Sequence, residues 1–126
     1  MFKTILLIGT GGFVGSVLRY FTQMYVHSLF NSMYPWGTFV VNVLGSFIIG
    51  IAFALAAKTN LISIEMRNFI VIGLCGGFTT FSTFSVDGYN MINGGNFMWL
   101  GLYTMGSVVS GIFAVMLGVA IVKWAM

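Results

Sequence analysis

Gly76-Gly77-Phe78-Thr79-Thr80-Phe81-Ser82-Thr83-Phe84-Ser85 sets glycines, hydroxyls and phenylalanines side by side within an otherwise apolar run. Two kinds of ion chemistry are available there. Gly76-Gly77 and Thr79-Thr80 weaken a helix locally, and a weakened helix frees backbone carbonyls that can ligate a cation. Phe81 and Phe84 stand three apart and share a helix face. A phenyl ring is negative on its face and positive at its edge, so an anion between ring edges meets a weakly attractive, dehydrated site. Ser82, Thr83 and Ser85 bring hydroxyl donors to the same place. Irregular backbone and polar side chains at membrane depth persist only when buried in protein or lining a wet pathway.

Other polar residues are sparse. Asn42 lies about two turns into the second apolar run, where its amide can donate to an anion or bond a neighbouring helix. Taken alone it reads as the second, a contact worth about 0.6 kcal/mol in a membrane protein. Arg19, inside the first run, is either a functional charge or a side chain snorkelling to the headgroups. In both readings it draws anions toward the mouth of a pathway. Tyr103 and Ser107, four apart in the last run, extend a line of donors, with Ser110 on a neighbouring stripe. Glu65, Asp87 and His27 are scattered and form no acid–base set for catalysis. His27 reads as a solvated loop residue, and Cys75 alone makes neither a disulfide nor a cysteine metal cluster. Gly9-Thr10-Gly11-Gly12-Phe13-Val14-Gly15 fails the dinucleotide-binding pattern at Val14, and no acidic residue follows about twenty positions on. Helix packing explains those glycines better.

Membrane helices must hold these residues. Of 126 residues, 59% are hydrophobic and 6% charged, with a mean hydropathy of +1.02; a soluble domain carries about 25% charged residues. A span needs about 20 apolar residues, so the length predicts one transmembrane domain, 1–126, with four spans and no soluble domain. The spans are predicted at 4–24, 36–57, 67–90 and 97–124, the third of them broken. Lys3 before the first run suggests a signal peptide, but no small-residue cleavage pattern follows, and the run reads as a retained helix. Asn31, Ser32 and Pro35 mark the first loop, Lys58 to Glu65 the second, and Asn93-Gly94-Gly95-Asn96 the last turn. Tyr34, Trp36, Trp99 and Trp124 fall near span ends, where amphipathic rings favour the headgroups. The pairs Gly11/Gly15, Gly73/Gly77 and Ser107/Gly111 have the spacing that lets helix backbones approach.

The formal charge of +3 comes without any basic run, so nucleic acid is not an expected partner. With four spans, Lys3, Lys58, Arg67 and Lys123 fall on one side, against His27 and the intramembrane Arg19 on the other. The positive-inside rule then puts both termini in the cytoplasm. Four thin helices enclose little interior, so a pathway across the membrane calls for a second subunit.

The run Gly73 to Ser85, together with Gly37-Thr38 through Asn42 and Gly15 through Arg19, closely resembles the signature of the CrcB/Fluc fluoride channels. The resemblance covers essentially the whole chain. It implies an all-α membrane protein of four helices that assembles as an antiparallel dimer and passively exports fluoride across a bacterial cytoplasmic membrane. It implies a sodium ion at the dimer interface, held by the backbone carbonyls of Gly76 and Thr79. Phe81 and Phe84 would form aromatic fluoride sites, with Asn42 donating from the second span. Ser82 and Thr83 match the neighbouring hydroxyls, and Tyr103 with Ser107 the start of a polar track. Gly111 and Val115 lack the hydroxyls that would continue that track, and Asp87 stands where glutamate is expected.

Hydrogen fluoride is a weak acid that crosses membranes neutral, ionises in a near-neutral cytoplasm and is trapped. A fluoride-selective leak driven by the inside-negative potential releases it with no ATP or redox cofactor. A small proton-coupled drug exporter also has four spans, but it needs an intramembrane carboxylate, and Asp87 sits near a span end. The charge bias argues against one polypeptide inserting both ways. The expected partner is therefore a second copy, balanced by other features, or an oppositely inserted paralogue.

Overall fold

Apolar runs free of internal proline become unbroken helices. In the computed structural model, which describes residues 1–32, 34–58 and 60–126, these are α1 (Phe2–Leu29), α2 (Trp36–Lys58) and α6 (Phe97–Ala125). Met33 and Thr59, in the first two predicted connections, lie outside the described residues. Pro35, which cannot continue a helix, stands just before α2, and its carbonyl accepts from Phe39 N at 3.1 Å. The connection between the last two spans turns through Gly95 at φ +72°, a conformation that glycine alone adopts without strain.

The third span is a composite. α3 (Ile64–Arg67) is capped by Ser63, whose Oγ accepts from Met66 N at 3.1 Å. A wide-turned π-helical stretch follows over Asn68–Cys75, then one further turn, α4 (Gly76–Phe78). The backbone is extended at Thr79 and Thr80, and α5 (Phe81–Asn93) begins after them. Counting the third as one, four spans are long and apolar enough to cross a membrane, and no strand occurs among the described residues. The protein is an all-α, multi-pass membrane protein.

Two expectations are corrected. The first span runs five residues further than predicted, so His27 lies in the last turn of α1 and not in the loop. Nothing between Tyr25 and Leu29 breaks a helix, Val26 is buried, and a histidine suits the negative end of the helix dipole. The break is also later than Gly76-Gly77 suggested. Both glycines keep helical geometry and the irregular backbone is Thr79-Thr80.

Packing divides into two seams. α1 lies against the first half of the third span, where a Cβ added to Gly11 would stand 2.7 Å from Phe69 O and one added to Gly77 2.6 Å from Gly12 O. The predicted pairs Gly11/Gly15 and Gly73/Gly77 therefore meet each other. α2 packs along α6, but the close approach there is made by Gly50 against Val115 and Gly118 against Phe47. Gly111 is looser, with Ser46 Oγ at 3.6 Å its nearest neighbour. The predicted Ser107/Gly111 pair thus borders open space and does not close that seam.

Candidate functional site

The site is organised by one amide. Asn42, on α2, donates from Nδ2 to the Thr80 carbonyl at 3.1 Å and accepts the Thr80 N–H on Oδ1 at 2.8 Å. It pairs both backbone groups of an extended residue as a neighbouring strand would. Such satisfaction is required of non-helical backbone at membrane depth. Thr80 is buried, and its own Oγ1 caps α5 by accepting from Thr83 N at 3.2 Å. Ser82 Oγ shares a hydrogen bond with the same hydroxyl at 3.3 Å.

These bonds have a consequence for the carbonyls before them. In an unbroken helix the Thr80 N–H would point at the Gly76 carbonyl, and the Thr83 N–H at that of Thr79. Both donors go instead to side chains, Asn42 Oδ1 and Thr80 Oγ1. The carbonyls of Gly76 and Thr79, the two residues expected to hold a cation, are among those at the break whose helical donors are withdrawn. Thr79 itself is anchored backwards, with N and Oγ1 each donating to the Cys75 carbonyl at 2.9 Å. Its methyl group sits directly over Gly45, whose lack of a side chain admits it.

Beyond the break, a groove of about 300 Å³ is lined by Asn42, Thr79, Phe81, Phe84 and Ser107, with Ser46 and Gly111. The Phe81 and Phe84 rings are 5.8 Å apart, and Phe84 lies 4.9 Å from the Tyr103 ring. Ser107 Oγ is buried with no hydrogen-bond partner among the described residues. An unpaired hydroxyl costs free energy unless something enters to meet it. Phenyl rings, an amide and an idle hydroxyl bordering one groove suit a small anion.

Tyr103 is fully buried at one end of the molecule, where its ring packs 5.3 Å from Tyr34, which in turn lies tilted against Trp36 at 4.6 Å. Tyr34 was expected near the headgroups. It belongs to this inner cluster, and burial pushes its phenol up from the ordinary value. The Tyr103 hydroxyl donates to Asp87 Oδ2 at 3.0 Å and faces Thr38, whose Oγ1 accepts from Gln23 Nε2 at 3.3 Å. A second cavity, about 460 Å³, is lined by Tyr20, Gln23, His27, Thr38 and Asp87. Tyr103 is thus flanked by this vestibule on its hydroxyl side and by Phe84 of the groove on its ring side.

The structure gathers Asn42, Phe81, Phe84, Thr79 and Ser107 around one groove, with Tyr103 behind Phe84. Ser82 is exposed and Thr83 half-buried at the start of α5. Arg19 is half-buried, one turn before Gln23 on α1, and no hydrogen bond or ion pair joins it to the groove among the described residues. Sequence reading missed Ser46 and Gln23, named Thr38 within the signature run without giving it a role, and set Asp87 aside as a span-end charge. Polar residues recurring within the apolar runs were the available signal.

With the geometry in place, similarity to known proteins is informative. The family described as CrcB-like protein, Camphor Resistance (CrcB), matches residues 6–119. A protein of Chlorobium chlorochromatii named fluoride-specific ion channel FluC is 42% identical over 120 residues, covering 95% of this chain and 92% of that one. One of the same name from Phocaeicola vulgatus is 44% identical over 117 residues, covering 93% and 96%. A third, from Agrobacterium fabrum, is 44% identical over 117 residues, covering 93% and 94%.

Proposed function

The chain belongs to the CrcB-like family, and from that premise we propose that it is a fluoride-specific channel that lets the anion leave the cytoplasm passively. The observation that carries the reading is the groove at the break, which Ser107, with its buried, unpartnered hydroxyl, lines together with Phe81 and Phe84. Fluoride is small and strongly hydrated, so a conducting path must replace its water with fixed donors and positive ring edges. Asn42 keeps one amide N–H beyond the one given to Thr80, and that hydrogen is the donor offered from α2. Chloride, larger and a weaker acceptor, is rejected by the narrow space. The path runs from the vestibule past Tyr103 to the groove, with Ser82, Thr83 and Arg19 flanking it.

A sodium ion is the cofactor this arrangement fits. Carbonyl oxygens without helical donors are hard ligands suited to an alkali cation. Gly76 and Thr79 supply two of them, and a second subunit related by symmetry supplies the rest. Bound there, the ion would supply positive charge that these carbonyls would otherwise lack. Phe81 is 79% exposed in the single chain, a bare ring beside polar backbone, which favours a partner covering it. We assign that partner as an antiparallel second copy or an oppositely inserted paralogue.

Reconstituting this one polypeptide in liposomes and following fluoride release with an electrode tests the reading. Robust release is expected, with no chloride release, and Phe81→Ile is expected to bring fluoride release to background. Release by the single gene product removes the need for a paralogue. A folded protein that passes no fluoride, alone or with the paralogue, overturns the function.

A further inference from the structure

We propose that Ser46 is a donor of the anion pathway, supplying from α2 the hydroxyl that α6 lacks at Gly111. This rests on the channel reading above. Ser46 lies one turn beyond Asn42 on the same stripe of α2 and borders the groove beside Ser107 and Gly111. Asn42 and Ser46 thus form a line of donors on one wall that faces Ser107 on the other.

Ser46 brings an uncommitted hydroxyl to the border of the groove. Hydroxyls inside helices habitually bond a carbonyl three or four residues back. Thr10 does so to Leu6 at 2.7 Å, Ser16 to Gly12 at 2.8 Å and Ser85 to Phe81 at 3.0 Å. Among the described residues Ser46 makes no such bond, and Ser107 makes none either. Two uncommitted hydroxyls bordering one groove are available to an anion that passes between them.

Position completes the case. A Cβ built on Gly111 would stand 3.6 Å from Ser46 Oγ, in ordinary contact. The Ser46 hydroxyl therefore occupies the space that a serine at 111 would reach. The donor line on α6, Tyr103 and then Ser107, steps across to α2 and does not end.

The test is fluoride release from liposomes by the full chain carrying Ser46→Ala, Ser46→Thr, Ser46→Cys, or Ser46→Ala with Gly111→Ser. Ser46→Ala is expected to slow release about tenfold, the effect of one hydrogen bond to an anion. Ser46→Cys, close in volume and a weak donor, falls with it and serves if the alanine variant folds poorly. Ser46→Thr and the double variant recover most of the wild-type rate. Wild-type release by Ser46→Ala and Ser46→Cys overturns the proposal, as does a loss that Gly111→Ser fails to restore. If the wild-type chain itself passes no fluoride, the channel reading falls first; an active wild type with indifferent Ser46 variants removes this role alone.

Discussion

Asn42→Ala is expected to stop fluoride release altogether, by at least a hundredfold, and to lower thermal stability in detergent as well. The two effects have one cause. Asn42 bonds both the backbone N–H and the C=O of Thr80, at 2.8 and 3.1 Å. Removing it strands the N–H at membrane depth, at about 1–3 kcal/mol, and leaves the C=O to the first turn of α5 alone. The chain can relieve that strain by re-forming helix through Thr79 and Thr80, which would return donors to the Gly76 and Thr79 carbonyls. Both the cation ligands and the placement of Phe81 would then be lost together. Asn42→Asp separates the contributions, because it keeps an acceptor for Thr80 N–H and loses the donor to Thr80 C=O. It is expected to be intermediate in stability and silent in conduction. A side chain that acted only as an ion ligand would leave stability untouched. Wild-type melting and slow amide exchange at Thr80 in Asn42→Ala would therefore sink the clamp.

Asn42 also marks the limit of what was legible in the sequence. The existence of a break could be read from glycines, threonines and serines crowded into an apolar run, because those residue types weaken helices whatever surrounds them. Its position could be narrowed only to Gly76-Gly77 or Thr79-Thr80. Glycines tolerate helical geometry when neighbours hold them there, and the choice of Thr79-Thr80 is made by a side chain 38 residues earlier. The π-helical stretch Asn68–Cys75 was equally hidden, since an apolar run looks the same at either helical pitch. Small-residue spacing picked out Gly11/Gly15 and Gly73/Gly77 as packing positions, but could not show that the two pairs meet each other. It misjudged α6, where spacing alone cannot tell that Gly118 meets a backbone while Gly111 meets a groove. Asp87 was discounted because local sequence placed it near a span end, whereas its partner, Tyr103, lies 16 residues away on the next helix.

One geometric device accounts for both proposed ion sites. The diversion of Thr80 N–H to Asn42 exposes the Gly76 carbonyl on one side of the break. The capping of Thr83 by Thr80 starts α5 in the register that puts Phe81 and Phe84 on the groove. Cation ligands and anion-facing rings therefore need no separate scaffolding. A substitution that shifts the break should disturb both.

Gly15→Ala is the second substitution with a large expected effect, and it acts on the support of that break. A Cβ at Gly15 would overlap the Leu74 carbonyl and stand 3.0 Å from Phe78 N, while Gly11 and Gly77 leave 2.7 and 2.6 Å to other backbone atoms. All of these are main-chain neighbours, which cannot rotate aside as a side chain can. Overpacking a core usually costs about 1–3 kcal/mol, and a rigid backbone contact belongs at the upper end or beyond. The variant is expected to lose its monodisperse elution and its cooperative melt. Gly9→Ala, on the same helix with nothing within 4 Å of the added carbon, should be neutral or gain about 1 kcal/mol from helix propensity. The contrast isolates the contact from the general effect of replacing glycine. Equal melting of the two variants would show that α1 does not seat against the third span this closely. Phe78, one residue before the break, is part of that seat, so a displaced α1 would carry Thr80 away from Asn42. Packing at the seam and chemistry at the groove are in this way coupled through a single residue's backbone.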